Sequence, residues 1–285
     1  MGAFLYTIIF AQYGVDLSIP SLGDVYSQRA EFRAQVSGFG AYAFFWLAKA
    51  FNPFLIAKGY LEKNKTALTL GLLGQVLLFS MSGLKSVLFS FMLLAGVFIA
   101  LHKRGKHFGN WIIWGLATLI LLTSAVDYYL DISVASSLFV RRFLMVPGLN
   151  TGYFFDFFSE NPHAFLGHSV FSPLVDYPYE SVPALVVGEA YYGHLNWALD
   201  TSANVNLWAD GYANFGVFGV FLFTLALITV LWVADSLSNR KDIMLSVLML
   251  SYPAYALVNT KLQTSMLTHG IVIVLIILYL IPPKK

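Results

Sequence analysis

The chain has 285 residues, 58% of them apolar and only 11% charged, against about 25% charged in soluble domains. That balance excludes an ordinary soluble globular domain and points to a polytopic membrane protein. A net charge of +2 is too small to argue for nucleic acid, and the lack of cysteine excludes disulfides and thiolate metal sites.

A spanning helix needs roughly 20 mostly apolar residues. The first apolar run, ending at about Tyr13, is too short for a full crossing, so either the chain is a fragment or this run is not a span. Its start lacks a basic segment and a small-residue cleavage site, and no cleaved signal peptide is expected. Candidate spans follow at 36–57, 67–82, 87–101 and 109–126. In the first of these stands Lys49, within "FFWLAKAFNPF". A charge there costs about 2.5–3.5 kcal/mol, so Lys49 is expected to pair inside the bundle or line a wet cavity. Pro53 is expected to open the helix backbone and supply carbonyls. Lys85 sits in the tight turn "SMSGLKSVLF". Backbone N–H groups beside a lysine make an anion cradle, and a lysine there can equally snorkel to lipid phosphates.

A long polar segment, 127–213, comes next, and loops of this length are rarely idle. It opens with "DYYLDISVASSLFVRRFLMVPG", whose apolar residues fall on one broad face; a helix at the membrane interface is expected, ended by Pro147 and Gly148. Arg141 and Arg142 lie on it about 100° apart, so one can face lipid headgroups while the other faces inward, and arginines there can equally snorkel to lipid phosphates. Pro162, Pro173, Pro178 and Pro183 break the following stretch, and a second short helix is expected within 182–200. Aromatic clusters, Tyr153 among them, serve either as interface anchors or as flat faces for sugar rings. His163 and His168, in "ENPHAFLGHS", fit no zinc spacing, and the external loops lack an Asp-x-Asp pair, so no metal is expected.

Candidate spans at 214–234, 243–258 and 269–282 complete the chain. Directly before the first reads "NVNLWADGYANFGVFG", which places Asp210 and Tyr212 among the amides Asn204, Asn206 and Asn214. Asp210 there is either a helix cap or a rigidly held carboxylate base at the membrane surface. Lys58, Lys63, Lys65, Lys103, Arg104, Lys106, Arg240, Lys241, Lys284 and Lys285 fall in short loops that the positive-inside rule assigns to the cytoplasm. Arg29, Arg33, Lys85, Arg141, Arg142 and Lys261 then lie outside with the long segment. Three regions result: N-terminal spans 1–126, external segment 127–213 and C-terminal spans 214–285.

Three stretches occur in order: "SGLKS" (82–86), "RRFLMVPGLNTGYFFDFFSENP" (141–162) and "NVNLWADGYANFGVFGV" (204–220). Together they resemble the oligosaccharide repeat-unit polymerases, the O-antigen (Wzy-type) polymerases of bacterial envelopes, from about Arg29 onward. The resemblance implies an all-α, GT-C-like polytopic integral membrane protein with about seven or eight transmembrane helices. Its one long external loop would contain interfacial helices. Family members usually have more spans, and the missing ones would be N-terminal. The implied activity is metal-independent, cofactor-free glycosyl transfer between undecaprenyl-diphosphate-linked repeat units. It would occur on the outer face of the bacterial inner membrane and yield O-antigen, capsular or exopolysaccharide chains. Membrane lipids and a chain-length regulator protein are the expected partners. In this frame Asp210 is the base, and Arg141 and Arg142 hold the diphosphate. Lys85, Tyr153, His163, His168, Asn204, Asn206, Tyr212 and Asn214 bind substrate. The related O-antigen ligases carry a His-Asn pair where this chain reads Asn204-Val205-Asn206, which counts against a ligase. A lipid-linked oligosaccharide flippase would string charge through several helices of repeated halves, and no repeat is present.

Overall fold

The computed structural model describes residues 1–14, 25–104, 107–169, 172–195, 201–239 and 242–282, and every regular element among them is a helix. Lys106, Arg240, Lys241, Lys284 and Lys285, assigned above to the cytoplasm, and positions 196–200 lie outside the described residues. In chain order the helices are α1 (Gly2–Tyr13), α2 (Val25–Gln35), α3 (Gly38–Leu61), α4 (Lys65–Ser82), α5 (Lys85–Arg104) and α6 (Phe108–Leu130). A short turn Val134–Ser136 and a π-helical run Ser137–Met145 lead into α7 (Val146–Glu160). Then come α8 (Pro183–Tyr192), α9 (Leu207–Ser238), α10 (Ile243–Ala256), α11 (Leu262–Leu267) and α12 (Ile271–Leu280).

Every apolar run read from the sequence forms a helix. Among the described residues, five helical segments are long and apolar enough to cross a membrane: α3, α4, α6, α9 and Leu262–Leu280. Gly2–Tyr13, Lys85–Leu101 and Ile243–Ala256 are apolar but shorter. On α6, Ile113, Trp114, Leu121 and Leu122 are all exposed, and they point to different sides of the helix. A helix apolar all round is stable in hydrocarbon and not in water. This is a helical membrane protein.

The chain forms two compact units, Met1–Lys106 with Trp232–Ala256 and Gln263–Lys285, and His107–Leu231 with Leu257–Leu262. In the first, Leu5, Ile9, Phe44, Leu47, Leu78 and Val87 make a closed apolar core. Helix α4 starts where the Asn64 side chain accepts the Ala67 N–H at 3.1 Å, and it ends where the Gly83 N–H donates to the Phe79 carbonyl. Inside α3, residues Leu47–Phe51 widen to π register, directly before Pro53. Proline has no N–H, so the carbonyl five residues back, Ala48, loses its helical donor. Gln75 supplies the replacement: its Nε2 donates to Ala48 O at 2.9 Å and to Ser90 Oγ at 2.7 Å, and its Oε1 accepts from Asn52 at 3.2 Å. The carbonyl expected from Pro53 is therefore present and used. Lys49, 5% exposed, is hydrogen-bonded to His269 Nδ1, and its ammonium lies 4.4 Å from the Phe45 ring centre. It pairs inside the bundle.

In the second unit, the Asp127 carboxylate accepts the N–H groups of Ala135 (2.9 Å) and Ser136 (2.7 Å), tying the end of α6 to the next helical stretch. That stretch does not end at Pro147 and Gly148 as expected from the sequence. Pro147 instead occupies the first turn of α7, and the helix continues to Glu160. The π-helical run before it is the physical reason: proline is tolerated where the register changes and a turn is restarted, as at Pro53. Within 182–200, the expected short helix is α8, opened by Pro183.

Candidate functional site

The apolar run after Asp210 reads as one straight span, but the backbone reverses inside α9. Phe215 (φ −143°) and Gly216 (φ +60°) leave helical conformation. The positive φ at Gly216 is one that residues with a Cβ rarely adopt. Residues 207–214 fold back along the first turns of the helix that follows. Trp208 Nε1 donates to Thr224 Oγ1 at 3.1 Å, and a Cβ at Gly219 would stand 1.9 Å from the Gly211 carbonyl oxygen. Two glycines thus allow backbone-to-backbone contact at a tight helical hairpin.

The head of this hairpin is capped by Asn206, not Asp210. Asn206 Oδ1 accepts the N–H groups of Trp208 and Ala209, both at 3.1 Å, and its Nδ2 donates to Thr151 Oγ1 at 2.9 Å. Relieved of capping, Asp210 lies one turn further in and is only 3% exposed. Asn214, fully buried, donates to the Asp210 carbonyl at 2.7 Å and lies 3.4 Å from its Oδ1. Asp210 Oδ2 is buried with no hydrogen-bond partner among the described residues. An unmet buried acceptor costs about 1–3 kcal/mol, and more when charged, so the position is set to receive a donor.

The loop after α7 is clasped onto the reversal by three bonds: Ala164 N–H to Ala213 O (2.9 Å), Phe165 N–H to Asn214 O (3.3 Å) and Leu166 N–H to Asn214 Oδ1 (2.7 Å). Phe165 (φ +43°) and Leu166 (φ +60°) are consecutive bulky residues in left-handed conformation. Each costs on the order of 1–3 kcal/mol, and such strain persists where surrounding bonds enforce it. The clasp carries both histidines. His163 stacks on Phe158 and meets Tyr212 edge-on at 5.9 Å, with its Nε2 3.2 Å from where a Cβ on Gly216 would be. His168 lies beside Tyr177. His163 Nδ1 and His168 Nδ1 are buried without partners among the described residues. Burial, then the charge of Lys261, pushes His168 down to about 4.

An aromatic wall adjoins. Tyr153 stacks on Tyr191 at 4.2 Å, and Tyr212 packs on Phe155 at 4.4 Å. Burial and a hydrogen bond to Asp156 push the Tyr191 phenol up to about 12. An apolar hollow lined by Phe165, Leu166, Leu174, Val175 and Phe215 opens beside the reversal.

Of the sequence-derived site residues, Asp210, Asn214, Tyr212 and His163 come together at the hairpin, with His168 further along the same clasp. Asn206 caps it, and Asn204 accepts from Asn150 Nδ2 through its carbonyl at 2.9 Å. Tyr153 belongs to the aromatic wall. Arg141 and Arg142 are exposed on the π-helical run, and the Arg141 charge acts on Tyr192, whose hydroxyl donates to Asn150 at 2.6 Å. Lys85 belongs to the first unit, as the first residue of α5. One residue was missed: Lys261, whose charge acts on both Asp210 and His168. Its only sequence signal is a cation in a loop assigned to the outer face. Among the described residues, no three His, Asp or Glu side chains gather as a metal-binding group. No protein-family model, curated protein or solved structure matches the chain.

Proposed function

We propose that this chain is a membrane glycosyltransferase that polymerises undecaprenyl-diphosphate-linked repeat units into O-antigen, capsular or exopolysaccharide chains, using neither metal nor cofactor. In this reading it crosses the bacterial cytoplasmic membrane about seven or eight times, and its GT-C-like external segment 127–213 faces the periplasm. The observation that carries the reading is Asp210, a buried carboxylate with an unpartnered oxygen, held by a hairpin where an apolar helix begins. Such a group suits general-base work on the hydroxyl of a substrate tethered in the membrane.

The chemistry requires a sugar hydroxyl of the acceptor to attack the anomeric carbon of the donor glycan. The carbon–oxygen bond to the diphosphate breaks, its electron pair leaves with the diphosphate, and the hydroxyl proton passes to Asp210. Arg141 and Arg142, exposed on the π-helical run, supply charge to the diphosphate. The tyrosine wall offers faces to sugar rings, and the apolar hollow beside the reversal suits the lipid.

Purified protein with a lipid-linked repeat unit tests this. Asp210→Asn is expected to lower turnover by roughly 10²–10⁴, the usual worth of a positioned base. In cells, Arg141→Ala and Arg142→Ala are each expected to leave single repeat units on the carrier at normal protein level. Normal turnover in Asp210→Asn removes it as the base, and wild-type ladders in both arginine variants remove the diphosphate role.

A further inference from the structure

The apolar stretch Leu262–Leu280 is long enough to span a membrane, yet its helix breaks between α11 and α12. The Thr268 and His269 N–H groups both turn back to the Thr264 carbonyl, at 2.8 and 2.9 Å, and Gly270 takes φ +84°. Unwound backbone at membrane depth is tolerated only where protein or water meets its polar groups. Helix α3 meets them here, at and just before its π-helical run. Trp46 Nε1 donates to the Leu267 carbonyl at 2.7 Å, and Lys49 Nζ is hydrogen-bonded to His269 Nδ1. A Cβ on Gly270 would lie 3.5 Å from that of Ala50. Positions 46, 49 and 50 thus form one seat for the break.

No carboxylate of the surrounding helices matches the charge in this seat: α1, α3, α4, α5, α10, α11 and α12 contain neither aspartate nor glutamate. The Lys49 ammonium meets His269, the Phe45 ring at 4.4 Å and the Tyr252 ring of α10 at 5.8 Å. The Tyr252 hydroxyl itself donates to the Ser86 carbonyl at 3.3 Å. On α1, Tyr6 is engaged by Asn52 at 2.9 Å; α4 presents the uncharged Gln75, and α12 has no titratable residue before Tyr279. Two bases in contact share one proton well, because an ammonium donates to a neutral imidazole or an imidazolium to a neutral amine. A second proton sets two cations face to face in a low dielectric, and neither nitrogen then accepts. We propose that Lys49 and His269 form a proton switch: sharing one proton they hold the break of 267–270 on α3, and a second proton releases it. Acid loosens Leu262–Leu280, and neutral pH fixes it. This device is independent of the polymerase reading.

Trp46 reports on the seat in the full chain in detergent. Its emission is read as wild type minus Trp46→Phe while pH falls from about 8 to about 5, the range in which histidine titrates. One step is expected in the wild type. Protection of the Thr268 and His269 amides against hydrogen exchange should fall with it, roughly 10-fold beyond the intrinsic pH effect. In His269→Gln the side-chain oxygen still accepts from Lys49, so both readouts should keep their neutral values. Lys49→Met has no bond to offer and should show the released exchange already at about pH 8. Lys49→Gln can pair with either form of the imidazole and should keep its amide protection at both ends of the range; it carries the test where Lys49→Met unfolds. The switch is overturned by a wild type without a step, by a step surviving in His269→Gln, or by emission that moves while exchange does not. Full protection in a folded Lys49→Met, or an acid loss of protection in Lys49→Gln, removes Lys49 as the tether.

Discussion

At the scale of single residues, the site gathers buried polar atoms whose partners are missing. Asp210 Oδ2, His163 Nδ1 and His168 Nδ1 each carry a desolvation cost that a soluble surface would not impose. His168 gives this a pH signature. Its folded value of about 4 lies below the ordinary 6.5, so between those pH values the unfolded chain binds the extra proton. Stability from His168 is present above pH 6.5 and lost as pH falls toward 4. Thermal unfolding followed by near-ultraviolet circular dichroism in micelles should show Tm falling across that window. The slope should flatten in His168→Gln, and an equal slope in both proteins would refute the neutral, half-buried histidine. The identity of Asp210 as a candidate was legible in the sequence because it stood among amides before an apolar run. That Asn206 takes over the capping was not legible, because either residue type can cap a helix.

At the scale of elements, two devices repeat. A π-helical run precedes both Pro53 and Pro147, and in each case the helix restarts instead of stopping. Gln75→Leu should expose the dependence at the first of them: Ala48 O and Ser90 Oγ each lose a bond from Gln75, at about 1–3 kcal/mol. A drop in Tm with the helical signal retained is the expected outcome, and an unchanged Tm would mean that another donor fills the gap. The second device is the hairpin of α9. Gly219→Val would drive a side chain into the Gly211 carbonyl, at about 1–3 kcal/mol for an overpacked contact, and should displace Asp210. Loss of turnover together with faster proteolysis near 215–216 should follow, and wild-type values for both would rule out the reversal. Sequence periodicity read this run as continuous because its apolar residues do not pause at Gly216. Likewise nothing in the sequence marks α2 as a core element: "VYSQRAEFRAQ" is polar, and Phe32 gains its ring partners Tyr13 (5.9 Å) and Phe44 (4.6 Å) only in the fold.

For the whole molecule, the membrane assignment rests on α6, whose exposed surface is apolar on every side, and on the other helices long and apolar enough to cross. Its orientation is a prediction from charge. Reporter fusions after Ser82, within 161–169 and after Asn259 should all report the outer face, and a fusion after Lys63 the cytoplasm. A reversal within 161–169 would separate the arginine pair from the proposed chemistry.

By itself the sequence determined the helical class, the positions of the apolar segments and the polar stretch holding the candidate groups. Those features follow from local composition and periodicity, which are written residue by residue. Tertiary structure alone decided that residues 207–214 turn back on their own helix, that the 161–169 loop is strained onto the turn, and that 257–262 belongs to the second unit although the helices on either side of it belong to the first. Each of these depends on contacts between residues distant in sequence, on close glycine approach or on left-handed backbone enforced from outside. No local pattern encodes such contacts, because their energy exists only once the packed partner is in place.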